Sequence, residues 1–103
     1  IPYLITNGVT NIKDTAVTCV GTIQFSGYLL VTEQGFDVST DSLFVQNLIH
    51  YPVQISNPPP SYPYSYSLIV NSLSKNTQYY VRSYAINTKG TNYGNVISFK
   101  TDE

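Results

Sequence analysis

Two side chains in this sequence could act as a general base or as a nucleophile: His50 and Cys19, each the single residue of its type. A reactive cysteine needs a histidine or a cationic neighbour that stabilises its thiolate. Cys19 instead lies in an apolar alternating run, and His50 lies in a different segment beside Tyr51 and Pro52. We therefore interpret Cys19 as a small buried hydrophobic residue. We interpret His50 as a bystander rather than as a catalytic base.

The six carboxylate side chains are scattered along the chain. Glu33 and Asp37 share a predicted strand face, but four residues span about 13 Å along a strand. The paired carboxylates of a glycosidase lie about 5–9.5 Å apart. Asp37 and Asp41 lack the ordered Asp-x-Asp spacing of a calcium loop. Because the sequence also contains no glycine-rich phosphate loop and no cluster of metal ligands, we expect no enzyme activity, no metal and no cofactor.

Tyrosine, present ten times, supplies the candidate binding residues. Tyr80, Arg82 and Tyr84 alternate along one strand and are expected on its outward face. Exposed tyrosine and arginine side chains are typical of protein interfaces, so these three are a candidate contact strip for a neighbouring domain or a partner. The alternative is that large side chains on the outer face of a sheet stabilise cross-strand pairs.

A second group of tyrosines surrounds a run of three prolines. Its members are Tyr28, Tyr51, Tyr62 and Tyr64, and the prolines are 58–60. Tyrosine rings can stack on sugars or line grooves for proline-rich peptides. This group is therefore a candidate site for a glycan or a peptide ligand. The alternative is a stiff connector that packs on its own domain.

Composition limits the partners. Charged residues make up 11% of the chain, against about 25% in an average globular domain, and the formal net charge is -1. Such a chain has no basic field for nucleic acid. No run of about 18 apolar residues occurs, so we expect no direct membrane insertion. Abundant Tyr, Thr, Ser and Asn with little charge are typical of exported proteins, and the single cysteine allows no intrachain disulfide.

The elements that position these residues are strands. Alternation of period two over residues 15–25 places Val17, Cys19 and Ile23 on one face, and the same pattern recurs over 77–87. We count about seven strands, with Gly35 marking a bulge or a close backbone approach. Residues 41–49 could form a helical turn or a loop, and 52–56 a short edge strand. The predicted core comprises Val17, Cys19, Ile23, Phe36, Val38, Leu68, Val70, Leu73, Tyr79, Val81, Ala85, Ile97 and Phe99.

Several of these segments also carry a family pattern. Residues 73–87 (LSKNTQYYVRSYAIN), the turn at 90–95 (GTNYGN), the strand 97–101 (ISFKT) and the run 32–36 (TEQGF) together resemble fibronectin type III-like domains of bacterial surface and secreted proteins. The resemblance covers about residues 12–38 and 66–101. Lys75 stands where that family usually has proline, and residues 40–64 match nothing in it.

The resemblance implies an all-β, seven-stranded antiparallel sandwich with an immunoglobulin-like Greek key. It implies that Tyr79 forms a tyrosine corner, with its hydroxyl bonded to the backbone a few residues upstream, and that Leu73 plugs the bottom of the core. We expect residues 1–103 to be one such domain cut from a longer chain. We expect it to act as a spacer or interaction module of an exported or cell-surface protein, with neighbouring domains, or a protein or glycan ligand, as partners.

Overall fold

A computed structural model of the chain describes residues 2–26, 30–56 and 61–103. The strands are β1 (Tyr3–Thr10), β2 (Val17–Phe25), β3 (Glu33–Ser39), β4 (Ile49–Val53), β5 (Tyr64–Val70), β6 (Gln78–Asn87), β7 (Gly90–Tyr93) and β8 (Ile97–Lys100). One sheet has the order β1-β2-β5. The second has the order β4-β3-β6-β7, and β8 also pairs with β6. All pairings are antiparallel, so the predicted all-β sandwich of two antiparallel sheets is confirmed.

The described residues contain eight strands rather than the seven predicted. The additional strand is β7, in a segment that the sequence analysis treated as a turn. β7 pairs with the C-terminal part of β6 and β8 with its N-terminal part, so the two short strands divide one sheet edge between them. Between β7 and β8, the Gly94 N–H donates to the Ser83 carbonyl (2.9 Å), and the Asn95 side chain accepts a hydrogen bond from the Thr6 N–H (3.0 Å). The residues between β7 and β8 therefore connect β1 of the other sheet to this edge by a hydrogen bond.

The core follows the alternation expected from the sequence. Eleven of the thirteen predicted core residues are buried: Val17, Cys19, Ile23, Phe36, Val38, Val70, Leu73, Tyr79, Val81, Ala85 and Phe99. Leu68 and Ile97 are only partly buried and pack against this core. They lie on β5 and β8, which are edge strands and therefore have neighbours on one side only.

Residues 40–48 form a loop. The described part of the chain contains no helix, and so none that could cross a lipid bilayer. The helical alternative for 41–49 is therefore wrong. The Asp41 carboxylate organises the loop by accepting the backbone N–H groups of Leu43, Val45 and Gln46. The edge strand after it runs over Ile49–Val53 rather than 52–56, because its pairing with β3 aligns Ile49 with Val38 and Val53 with Gln34.

The expected bend before β6 is present. Tyr79 is buried at 8% exposure, and its hydroxyl accepts a hydrogen bond from the backbone N–H of Ser74 (2.8 Å). Leu73 is buried beside it, and its N–H donates to the carbonyl of Thr15 (2.9 Å). The prediction of a buried Tyr79 with a satisfied hydroxyl is confirmed.

Candidate functional site

The outward face of the five-stranded sheet carries a cluster of charged side chains. The register pairs Asp37 of β3 with His50 of β4 on one side and with Arg82 of β6 on the other. Side chains on directly paired residues project to the same face of a sheet. Pairing alone therefore places a carboxylate between an imidazole and a guanidinium.

Asp37 is almost completely buried, at 2% exposure, and both of its oxygens are used. Oδ1 lies 2.6 Å from His50 Nδ1, and Oδ2 lies 3.1 Å from Arg82 Nε. A buried carboxylate is costly unless it is paired and hydrogen-bonded. The two cationic partners meet that requirement.

The second ring nitrogen of His50 faces another carboxylate, since Nε2 lies 2.9 Å from Glu33 Oε2. Ionised carboxylates only accept hydrogen bonds, so both ring nitrogens must carry a proton and His50 is an imidazolium. Partial burial lowers the pKa of His50, but the hydrogen bonds to Asp37 and Glu33 outweigh it and raise the pKa above its usual value. The protonated form of His50 is thus an ion-pair partner of both carboxylates.

Tyr84 lies beneath this cluster. Its ring stacks on the His50 imidazole with centroids 4.0 Å apart, and its hydroxyl donates to Glu33 Oε2 (2.6 Å). Burial, followed by the bond to Glu33, raises the pKa of the Tyr84 hydroxyl. The same bond, together with His50, lowers the pKa of Glu33. Tyr84 is fully buried, so the expectation that it is exposed was wrong.

Arg82 is covered as well. Its guanidinium carbon lies 4.3 Å from the ring centroid of Phe44 and 3.8 Å from that of Tyr93. Phe44 belongs to the 40–48 loop and Tyr93 to β7. The sequence left the first segment open between a helical turn and a loop, and predicted the second to be a turn. Tyr80 is half-buried on the same face. The interface role of Tyr80, Arg82 and Tyr84 remains a prediction, but these side chains are largely enclosed by their own domain.

Both ring nitrogens of His50 are engaged by carboxylates in this cluster. A doubly hydrogen-bonded imidazolium has no free nitrogen to accept a proton. The thiol of Cys19 is buried, and burial raises its pKa to about 12. Among the described residues, no three His, Cys, Asp or Glu side chains are placed so that they could hold a metal ion.

The second candidate group lies where β4 of the larger sheet and β5 of the smaller sheet approach each other. Tyr28 falls outside the described residues, as do prolines 58–60. Tyr51, Tyr62 and Tyr64 are partly buried and pack against the core. The rings of Tyr62 and Tyr64 are tilted by 39°, and the Tyr64 hydroxyl donates to Gln34 Oε1 (2.6 Å). These rings therefore fold onto the domain instead of forming a flat exposed platform.

Tyr51 also borders a groove. This groove of about 350 Å³ opens between the β3–β4 side of the larger sheet and the 72–77 turn. Tyr51 lines this groove together with Tyr79, the residue of the bend. No local sequence pattern predicts the groove, because its walls come from segments that are 20 or more residues apart.

Comparisons with known proteins bear on the fold. No family model matches the chain, and no curated protein matches it. Solved structures do match. The sensor domain of the anti-sigma factor RsgI4 in Pseudobacteroides cellulosolvens superposes with a TM-score of 0.77 at 13% identity, covering 99% of this chain and 76% of that one. A second structure of that sensor domain gives a TM-score of 0.74 at 14% identity, covering 98% and 94%. A structure described as a myokine gives 0.64 at 17% identity, covering 97% and 96%. These similarities establish a shared β-sandwich fold.

Proposed function

We propose that this domain is a non-catalytic sensing or interaction module of a larger exported or cell-surface protein, built on a fibronectin type III-like sandwich. The observation that carries the proposal is the similarity, over 98–99% of the chain, to the sensor domain of an anti-sigma factor. A sensing module acts by recognising a partner or ligand through a site carried on its fold.

The state of the two candidate catalytic groups supports the same proposal. His50 is held between Asp37 and Glu33 and stacks on Tyr84. Cys19 is buried in the core. His50 has no free ring nitrogen to act as a general base and Cys19 is no exposed nucleophile, which supports a non-catalytic role.

Two measurements test the proposal. The chain is incubated with chromogenic glycosides, esters, phosphates and peptides, and we expect no product; turnover that disappears in His50→Ala contradicts a non-catalytic role. Protease is then added to intact cells that make the parent protein, with a cytoplasmic protein as control. We expect the domain to be digested while the control remains intact, and protection of the domain contradicts an outside location.

Ligand binding is the second candidate function, and the groove beside Tyr51 favours it. The groove volume lies within the range of about 300–1,000 Å³ that is typical of small-ligand sites, and one of its walls contains a tyrosine that the sequence had singled out.

A further inference from the structure

The groove has an apolar floor and an uncharged polar rim. Val38, Ile49 and Leu73 supply the apolar surface. The rim carries the side chains of Thr40, Asn47, Ser72, Ser74 and Thr77, and all of its described lining residues are uncharged. Ligand sites commonly combine an apolar surface with a few polar groups that orient the ligand.

Several polar atoms at the rim have bonding capacity to spare. Asn47 lines the groove and uses its amide nitrogen to donate to Thr40 Oγ1 (2.9 Å), while its carbonyl oxygen has no hydrogen bond within the described part of the chain. The Tyr79 hydroxyl accepts from the Ser74 N–H, so its own proton is available for donation. Ser72 is exposed, and its hydroxyl has no hydrogen bond to the described part of the chain. The groove therefore offers both donors and acceptors.

Two rim residues have a left-handed backbone, with φ of 54° at Asn47 and 63° at Ser72. Glycine adopts this conformation without steric cost, whereas a serine there is uncommon. The polar side chains at these positions are therefore not required by the backbone path. Replacing them with glycine removes two polar side chains from the groove without straining the backbone.

We propose that this groove binds a neutral, hydroxyl-rich ligand, namely one or two sugar units of an uncharged glycan. Sugars present apolar C–H faces and hydroxyl groups in the same ring, which matches the apolar floor and the amide and hydroxyl rim. Tyr51 and Tyr79 add side chains with an apolar body and a polar tip. The uncharged lining disfavours acidic sugars, which require a cation for tight binding. This inference rests on the proposed role as a recognition module.

An extended peptide that adds a strand to β4 is the competing occupant of this edge. β4 contains Pro52, which has no backbone N–H to donate to an added strand. The exposed part of the edge is also only five residues long. The structure therefore favours the glycan over the peptide.

The test is a titration of the isotope-labelled chain, followed by amide NMR, with four neutral probes: hexamers of cellulose, xylan, mannan and β-galactan. An acidic oligogalacturonate and an uncharged extended peptide are titrated in parallel. The variant Asn47→Gly with Ser72→Gly removes the two rim side chains. Asn76→Gly is the matched control, because Asn76 also has a left-handed backbone (φ 50°) but does not line the groove.

We expect at least one neutral hexamer to shift resonances of residues 38–49 and 72–79 at millimolar concentration or below. We expect its affinity to fall at least tenfold in the double variant and to be unchanged in Asn76→Gly. The inference is overturned if no neutral hexamer shifts these resonances, if the double variant binds equally well, or if the acidic oligomer or the peptide binds there more tightly. Hydrolysis of a hexamer would instead contradict the proposed non-catalytic function, so the two failures are distinguishable.

Discussion

The ring of Tyr84 lies directly against the backbone of Gly35. A Cβ atom placed on Gly35 would collide first with the backbone carbonyl oxygen of Tyr51, and it would also lie 2.7 Å from Cε2 of the Tyr84 ring and 2.8 Å from its hydroxyl oxygen. Gly35 is thus a position of close backbone approach, as the sequence indicated. The register pairs the two residues across β3 and β6, so the missing side chain provides the space in which the tyrosine lies flat. The position of the His50 imidazole above that ring depends on this space.

We predict that Gly35→Ala destabilises the domain by about 1–3 kcal/mol, the usual cost of forcing an extra group into a packed site. The matched control is Gly21→Ala, where the added Cβ would have its nearest contact at 3.1 Å, with Ser83 Cβ. Urea unfolding of both variants measures the difference. Equal stability of the two variants would contradict the close approach of the Tyr51 carbonyl and the Tyr84 ring to Gly35.

Replacing Arg82 with lysine should loosen the 40–48 loop. Lysine keeps a positive charge near Asp37, but it lacks the planar group that packs between Phe44 and Tyr93. We expect a loss of about 1–2 kcal/mol. We also expect faster hydrogen exchange at the loop N–H groups that donate hydrogen bonds to the Asp41 carboxylate. Lys89→Arg, at an exposed turn, should leave both quantities unchanged, and unaltered exchange in Arg82→Lys would refute the role of this stacking.

The ion pairs of His50 predict a specific pH dependence of stability. Because folding raises the pKa of His50, its stabilisation is complete below its ordinary value of 6.5 and is lost as the pH rises through the folded-state pKa. The groups that face it are Glu33 and Asp37 on β3 and Arg82 and Tyr84 on β6. Since His50 is half exposed, we expect a loss of about 0.5–1 kcal/mol, typical of a screened ion pair.

Urea unfolding from about pH 6 to about pH 9 measures this loss. His50→Gln, which keeps a polar side chain but does not titrate, should flatten the decline on the alkaline side. Glu33 acts in the opposite direction: its lowered pKa gives stabilisation that is present above 4.5 and is lost as the pH falls. A wild-type profile that matches that of His50→Gln would show that the imidazolium contributes nothing to folding.

Tyr79→Phe tests the bend before β6. The phenylalanine ring fills the same space, but the Ser74 N–H loses its acceptor. We expect a loss of about 0.5–1.5 kcal/mol, which in a domain of this size lowers the melting temperature by about 2–12 °C. Tyr80→Phe is the control, because the Tyr80 hydroxyl has no hydrogen-bond partner in the described part of the chain. Coincident melts of wild type and Tyr79→Phe would refute the tyrosine corner.

Alternation along a single strand predicts the burial of a residue correctly where the face of its own strand decides that burial. Alternation found the inward residues of β2, β3 and β6, because a core face repeats every second residue whatever the partner strand is. The same reasoning failed for Tyr84. Its parity is outward, as predicted, but His50 and Gly35 enclose it from the neighbouring strands β4 and β3.

The separation of Glu33 and Asp37 illustrates the same limit. The two backbones are about 13 Å apart, but the side chains converge, because both carboxylates reach ring nitrogens of His50. The expectation that the two carboxylates lie too far apart to form a pair was therefore wrong. The sequence could not show that His50, on the adjacent strand, has two ring nitrogens that reach one carboxylate each. That contact depends on the β3–β4 register, which is set by how the chain pairs and not by any local pattern.

The sequence alone determined the class of fold and most of its core, because the period of two is a local property, and the family resemblance implied the bend at Tyr79. Only the tertiary structure decided that the outer sheet face is covered, that His50 bridges two carboxylates and that an uncharged groove opens beside Tyr51. Each of these features joins residues from separate strands and loops, so each exists only once the two sheets and the 40–48 loop are in place.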